Sequence, residues 1–281
     1  MPDLPLPAVL CAFAAALLFA VSAVAQQTAA AEVPKGDALF AALVRNPRWW
    51  AGIVGDGGGF AFQVAALSFG SVLVVQPILV SMLIFALPLA AYYGKRRITP
   101  RTWSIAMVLA AALAVFLIVG DPAEGTSDAL LRQWLVPLGL LLGLVACCVI
   151  AAFAIAAPAP RALLLGTAGG TLFGIAAALT AHVADLFTHE TASVLTSWHI
   201  YALAFTGATG LYLQQRAYQV GPLSASLPAV TVAEPLAAAV LGITVLQERL
   251  RSGAVVTTVV TLAALVMCVA AVLLSRAEAA D

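Results

Sequence analysis

Long apolar runs dominate this sequence and restrict the folds open to it. The chain is 63% hydrophobic and 9% charged, whereas an ordinary soluble domain has about 25% charged residues. Because roughly 20 apolar residues cross the hydrocarbon core of a bilayer, we predict an all-α, polytopic membrane helix bundle with about nine spans. The predicted spans are residues 6–26, 49–69, 72–93, 102–119, 134–157, 162–183, 199–218, 223–245 and 252–275.

Several function classes lack their sequence signals. The net charge of zero gives no electrostatic reason to expect nucleic acid as a partner. The four cysteines lie in apolar runs, without disulfide or metal-ligand spacing. The sequence shows no nucleophile with its base, no metal-ligand cluster and no phosphate-binding P-loop. We therefore expect neither an enzyme nor a cofactor.

The beginning of the chain has two interpretations. Ala23-Val24-Ala25 resembles a signal-peptidase site, so residues 1–25 are either a cleaved signal or a retained span. We favour the retained span, because the first residues contain Asp3 and no Lys or Arg. Further on, residues 36–46 are too short to cross a membrane and are predicted to form an amphipathic helix at the interface.

Lysine and arginine predict the orientation, because cytoplasmic loops are enriched in them. With nine spans, one side of the membrane receives only Arg132, Arg249 and Arg251. We expect the other side to be cytoplasmic, with the N-terminus outside, the C-terminus inside and the plasma membrane as location. That side receives Lys35, Arg45, Arg48, Lys95, Arg96, Arg97, Arg101, Arg161, Arg216 and Arg276.

The chain contains an internal repeat. "LFAVSAVAQQ" at 18–27 resembles "LFGIAAALTA" at 172–181, and residues 63–77 align without gaps on residues 214–228. The identical pairs in the second alignment are Gln63 and Gln214, Ala66 and Ala217, Gly70 and Gly221, and Pro77 and Pro228.

The repeat predicts two four-span units that are joined by span five. We assign residues 1–120 to the first unit, 121–161 to the linking span and 162–281 to the second unit. Because five spans separate equivalent positions, the units are predicted to be inverted in the membrane. Inverted repeats are typical of transporters, since exchange between two packings changes the side to which a central site opens.

Glu234 is the clearest candidate binding residue. It lies in the middle of span eight, and acidic side chains inside a membrane are costly and commonly functional. Pro235 follows it and is predicted, like Pro77 and Pro228 in the repeat, to break its helix. A buried protonated glutamate that bonds a neighbouring helix is the alternative interpretation.

Asp56 is the second acidic candidate and is surrounded by glycines in "GIVGDGGGF". These glycines weaken a helix, so the segment either opens to a ligand or lets another helix approach. Asp56 and Glu234 are the possible metal ligands. The matching Gln63 and Gln214 are predicted to contact substrate, or alternatively to clamp helices.

Other features suggest packing or interfacial positions. Gly166, Gly170 and Gly174 predict a small-residue ridge on span six, with span one as a candidate partner. The five tryptophans, including Trp134 and Trp198, are predicted to anchor span ends at the interface. We interpret His182 and Asp185 as a solvated loop edge, with a gate or a proton site as the alternative, and Arg216 as a snorkelling side chain.

These motifs resemble a known superfamily. The segment "LQQRAYQVGPLSASLPAVTVAEPLAAAVLGITVLQERL", with its "AEP" and "QERL", resembles the drug/metabolite transporter superfamily with EamA-like repeats. The segment "WWAGIVGDGGGFAFQVAALSFGSVLVVQPIL" is similar to the NIPA-type magnesium transporters, which also have nine spans. The resemblance implies a transporter of a small metabolite or a divalent cation such as Mg²⁺.

Two functions follow as hypotheses. The first is a secondary transporter of a small solute or cation by alternating access, with Glu234, Asp56, Gln63 and Gln214 at the site. The second is a non-transporting membrane scaffold or partner subunit, in which the acids are structural. The expected partners are the solute or cation and the lipid bilayer, and a homodimer remains open.

Overall fold

The computed structural model is built from α-helices, as the sequence predicts, throughout the residues that it describes. These are residues 5–31, 44–93, 99–123, 125, 131–189, 195–220 and 223–280. Most of the predicted interfacial helix at 36–46 lies outside them. The helices are α1 (Leu6–Ala31), α2 (Pro47–Phe69), α3 (Val72–Val80), α4 (Met82–Tyr93), α5 (Pro100–Gly120), α6 (Leu131–Ala154), α7 (Pro158–His189), α8 (Trp198–Val220), α9 (Leu223–Thr244) and α10 (Ala254–Ala280).

Five of these helices are long and apolar enough to cross a membrane, which is the architecture of a multi-pass membrane protein. They lie within α1, α5, α6, α7 and α10, and shorter apolar helices cover Val72–Ala86 and Ala229–Thr244. At 23 residues each, α2 and α8 are long enough, but their glycine and polar residues make them less apolar. The count of nine spans therefore remains a prediction.

The predicted helix breaks at the prolines are wrong. Helix α3 continues through Pro77, and α9 continues through Pro228 and Pro235. A proline removes only one backbone donor, and neighbouring helices tolerate that loss in membrane proteins. The break occurs instead at Ser81, between α3 and α4, where the Ser81 N–H donates to the Ile78 carbonyl three residues earlier, at 2.9 Å.

Helices α1 and α2 form a close antiparallel pair through a glycine face. A Cβ on Gly55 would lie 3.3 Å from Cβ of Ser22, and one on Gly59 would lie 2.7 Å from the Phe19 ring. Nearer the start of α2, a Cβ on Gly52 would meet the Gln26 side chain at 2.6 Å. The glycines around Asp56 therefore allow close helix packing, and α2 stays helical through them.

Helix α7 lies at the centre of the bundle and contacts α2, α3, α6, α8 and α9. In its apolar window 78% of the residues are buried, against 17% for α6, so α6 lies at the periphery. The predicted glycine ridge on α7 does pack, but its partner is α9 rather than span one. Cβ atoms on Gly166 and Gly170 would lie 2.8 and 2.6 Å from the backbone oxygens of Ser226 and Val230.

A set of backbone hydrogen bonds joins the α9–α10 connection to the end of α5. Ala123 N donates to Arg249 O at 2.8 Å, and Arg251 N donates to Gly120 O at 2.7 Å. Arg251 also lies 3.9 Å from the Asp121 carboxylate. Residues 246–251 therefore fasten the two halves of the chain together at one end of the bundle.

Candidate functional site

Glu234 lies in the middle of α9, on the helix that packs along α7. Its backbone carbonyl lies directly against Gly174, where any Cβ would overlap it. The side chain is partly buried, and its carboxylate forms no hydrogen bond or ion pair with any residue that the structure describes. A carboxylate inside an apolar bundle without such a partner is a group that can accept a proton, a cation or a donor-bearing solute.

Asp56, by contrast, belongs to the contact between α1 and α2. The Gln26 amide Nε2 donates to Asp56 Oδ2 at 2.6 Å and to Ser22 Oγ at 2.9 Å. The Ser22 hydroxyl donates to the Gly52 carbonyl at 2.6 Å. This chain of bonds joins the two helices, so the geometry favours the packing interpretation of Asp56.

The two predicted glutamines lie on different helices around α7. Gln63 is buried on α2, with 6% of its surface exposed. Gln214 is partly buried on α8, where its backbone N would lie 3.2 Å from a Cβ on Gly169 of α7. Neither amide forms a side-chain hydrogen bond within the described part of the chain, so both keep their donors and acceptors available.

The structure surrounds α7 with the three helices that hold the predicted residues but does not join the residues to one another. Helices α2, α8 and α9 all contact α7, yet no hydrogen bond links Glu234, Asp56, Gln63 and Gln214, all of which are described. The described residues also contain no group of three or more His, Cys, Asp and Glu side chains with the arrangement of a metal site.

Sequence reasoning missed Glu248, which lies between the predicted spans 223–245 and 252–275. Its side chain is buried, and its two oxygens accept hydrogen bonds from the first two backbone N–H groups of α3. Val72 N donates to Oε1 at 2.7 Å, and Leu73 N donates to Oε2 at 2.8 Å. A carboxylate is favoured there because the N-terminal N–H groups of a helix have no partners within the helix.

Two other buried polar groups were also missed, and both lie at or just beyond α3, which contacts α9. Gln76 is 2% exposed and Ser81 is 3% exposed. Neither Gln76 Nε2 nor Ser81 Oγ has a hydrogen-bond partner within the described part of the chain. The only sequence signal was the polar character of Gln76 inside an apolar run, next to the repeated Pro77.

The solvated loop edge predicted at His182 is wrong. His182 and His199 are buried, with ring centroids 3.9 Å apart. The fully buried Trp134 packs edge-on against both rings, so it is a core residue and not an interfacial anchor. Aromatic packing between the starts of α6 and α8 and the end of α7 removes these rings from solvent.

Among the residues that the structure describes, the bundle thus has an acceptor without a partner on α9 and polar groups without partners on α3 and at Ser81. Side chains of these types can form hydrogen bonds and charge interactions with polar groups.

Comparison with known proteins identifies a relative that aligns with nearly the whole chain. An uncharacterized protein of Corynebacterium glutamicum, Cgl0250/cg0304, is 34% identical over 277 residues, which cover 96% of this chain and 94% of the relative. No protein-family model matches the sequence, and no solved structure matches it. At this identity and coverage, the chain belongs to the same family as Cgl0250/cg0304 of C. glutamicum.

Proposed function

We propose that this protein is a secondary transporter that moves a small solute or cation by alternating access, with Glu234 as its central binding group. The observation on which the proposal depends most is the Glu234 carboxylate, which lies in the middle of α9 without a hydrogen bond or ion pair to the described residues. A purely structural acid would be expected to have such a partner, because burial of an unpaired charge is costly.

The directions of the helices support two inverted units. Successive glycines along α7 lie against successively later residues of α9, so these two helices run parallel. Glu248, just beyond α9, bonds the first residues of α3, so α3 begins where α9 ends and runs in the opposite direction. Helices α3 and α9 are the equivalent elements of the sequence repeat, and opposite directions are what inverted repeats require.

Hydrogen-bond donors without a protein partner also lie on a helix that contacts α9. Gln76 Nε2 and Ser81 Oγ belong to the α3–α4 region, and α3 contacts α9. We propose that Gln63, Gln76 and Gln214 orient the solute while Glu234 binds a cation, a proton or an amine. Asp56 is retained only as a residue of the α1–α2 contact.

The motifs "AEP" at 233–235 and "QERL" at 247–250 support membership of the drug/metabolite transporter superfamily as part of this proposal. The magnesium-transporter branch is a narrower option. Mg²⁺ is bound by carboxylates together with retained waters, and Glu234 is the one predicted acid that has no protein partner among the described residues.

A scaffold or partner subunit is the second candidate function, and the bonding of Asp56 to Gln26 favours it. One predicted acid is already engaged in a helix contact. In addition, a cavity between α6, α7 and α8 is lined by neither Asp56 nor Glu234. The two functions differ in whether Glu234 binds a solute.

Thermal unfolding of the purified chain with a panel of solutes separates the two functions. The panel contains Mg²⁺, small amines and neutral metabolites. A transporter gains about 2.7 kcal/mol of stability from a solute at 100 times its Kd, and we expect at least one solute to raise the Tm. Glu234→Gln should abolish that increase and Glu234→Asp should retain part of it.

Asp121→Asn is the matched control, because it removes one negative charge from a partly exposed position at the end of α5. It should leave the increase in Tm unchanged. If no solute raises the Tm of the unmodified chain, or if the increase survives in Glu234→Gln, the transport proposal is wrong and the scaffold function is favoured.

A further inference from the structure

A second polar site lies away from Glu234, at the end of the bundle where α6 and α8 finish and α7 begins. A cavity of about 60 Å³ opens there between the three helices. Two arginines line it, Arg161 from the first turn of α7 and Arg216 from the last turns of α8. None of the residues that line this cavity is acidic.

Neither arginine is neutralised by the protein. Arg161 forms no side-chain hydrogen bond or ion pair with the described residues, and its buried Nε has no partner. Arg216 is exposed, and its Nη1 donates only to the neutral amide of Gln219, at 3.3 Å. Two guanidinium groups therefore share one cavity without a counter-charge from the described residues.

The walls of the cavity are apolar and continue onto the outside of the bundle. Val149, Phe153 and Leu165 line it together with the ring of Tyr212. Phe153 is 77% exposed, and it lies on α6, the helix with the lowest buried share among the candidate spans. An apolar surface of this kind suits an acyl chain better than a water-soluble anion.

We propose that this cavity binds the headgroup of an anionic phospholipid, with its phosphate on Arg161 and Arg216 and an acyl chain along α6. Guanidinium groups pair with phosphate through charge-assisted, commonly bidentate hydrogen bonds. Basic cavities between membrane helices are known positions for acidic headgroups. Space for several water-sized groups accommodates a phosphate. The site does not depend on the transport proposal, because it shares no residue with the solute site.

Native mass spectrometry of the detergent-solubilised full chain tests this proposal. The probes are phosphatidylglycerol, phosphatidylcholine with the same acyl chains, and inorganic phosphate. We expect phosphatidylglycerol to bind and the other two probes not to bind measurably. The double variant R161Q/R216Q should weaken phosphatidylglycerol binding by about thirtyfold. Each arginine near the membrane surface contributes a similar free energy to the attraction of an acidic lipid, and the two contributions add.

The matched control is R45Q/R101Q, which removes the same charge from two exposed arginines outside the cavity. It should bind phosphatidylglycerol as the unmodified chain does. Arg216→Gln alone, at an exposed position, keeps the test valid if the double variant does not fold, and it should weaken binding by about fivefold.

Three results would overturn the proposal. Unchanged phosphatidylglycerol binding in R161Q/R216Q, or in Arg216→Gln when only that variant folds, would place the lipid elsewhere. An equal loss in R45Q/R101Q would indicate general attraction to a basic surface. Binding of inorganic phosphate with the affinity of phosphatidylglycerol would make the cavity a site for a soluble anion.

Discussion

Individual polar residues inside this apolar bundle fall into two groups. Asp56 and Glu248 are hydrogen-bonded to neighbouring helices, so they contribute to the architecture. The buried amide nitrogen of Gln76 has no such partner among the described residues, and the partly buried Glu234 carboxylate forms no hydrogen bond with them either. Because unpaired buried polar groups reduce stability, the second group is the one for which a functional explanation is needed.

Glu248→Gln should destabilise the protein markedly, although the two side chains have nearly the same size. The amide of glutamine has one acceptor oxygen, so one of the two N–H groups at the start of α3 loses its partner, and the favourable charge is lost as well. We expect a loss of about 1–3 kcal/mol in the free energy of unfolding. Thermal or denaturant unfolding in detergent measures it.

Arg249→Gln is the control for this prediction, because the exposed side chain next to Glu248 can change while its backbone bonds to Ala123 remain. It should change stability by less than about 0.5 kcal/mol. Equal stability of the Glu248→Gln variant and the unmodified chain would mean that Glu248 does not stabilise the start of α3.

The sequence indicates Glu234 as a candidate binding residue, but it does not reveal the role of Glu248. The reason is physical. The position of Glu234 in the middle of a long apolar run is a local property that the sequence displays. The bonds of Glu248 join residues 175 and 176 positions apart, and no local pattern reports such a contact. The sequence also left Asp56 undecided, because its bond to Gln26 depends on how α1 lies against α2.

At the scale of helices, glycine faces determine how closely the elements approach. The α1–α2 and α7–α9 pairs both have glycine positions where a side chain would overlap the neighbouring helix. Helices in lipid gain little from hydrophobic association, so close backbone contact is an important source of their attraction. These faces explain why particular pairs form within a chain that is apolar almost everywhere.

Gly174→Ala should weaken the α7–α9 pair. A Cβ there would overlap the Glu234 carbonyl and lie 2.8 Å from Ala238 N, and neither backbone atom can move without shifting α9. Overpacking of this kind costs about 1–3 kcal/mol, which unfolding in detergent measures.

Gly143→Ala is the matched control, since nothing lies within 4 Å of a Cβ at this position on α6. It should be neutral or stabilise the helix by up to about 1 kcal/mol. Equal tolerance of both substitutions would show that α7 and α9 do not approach as closely as described.

The bond between Gln26 and Asp56 gives a prediction for the α1–α2 pair. In a double-mutant cycle with Gln26→Ala and Asp56→Ala, we expect a coupling energy of about 1–3 kcal/mol in unfolding. Additive effects of the two substitutions would contradict the packing role of Asp56. Asp56 would then again be a candidate solute ligand.

The existence of the helices was predictable, whereas their pairing and interruptions were not. Apolar runs of about 20 residues specify spans because the bilayer requires internally bonded backbone. The sequence also identified the ridge of Gly166, Gly170 and Gly174, but it could not select α9 as the partner. Prolines predicted breaks that are absent, while the interruption at Ser81 has no distinctive local signal.

For the whole molecule, the arrangement of the two halves is the most informative feature. Both halves contain a close pair of adjacent helices, α1 with α2 and α7 with α8, and α3 contacts α9, the helix that the sequence alignment pairs with it. The contacts of residues 246–251 with Gly120, Ala123 and the start of α3 close one end of this arrangement. In an alternating-access cycle, these are contacts that would form and break.

Solute flux in proteoliposomes tests the central claim most directly. Vesicles containing the unmodified chain, Glu234→Gln or Glu234→Asp are compared at several pH values, with the solute that raises the Tm. We predict flux for the unmodified chain, partial flux for Glu234→Asp and a loss of at least tenfold for Glu234→Gln, equivalent to about 1.4 kcal/mol. Undiminished flux through the Glu234→Gln variant at every pH would contradict the account.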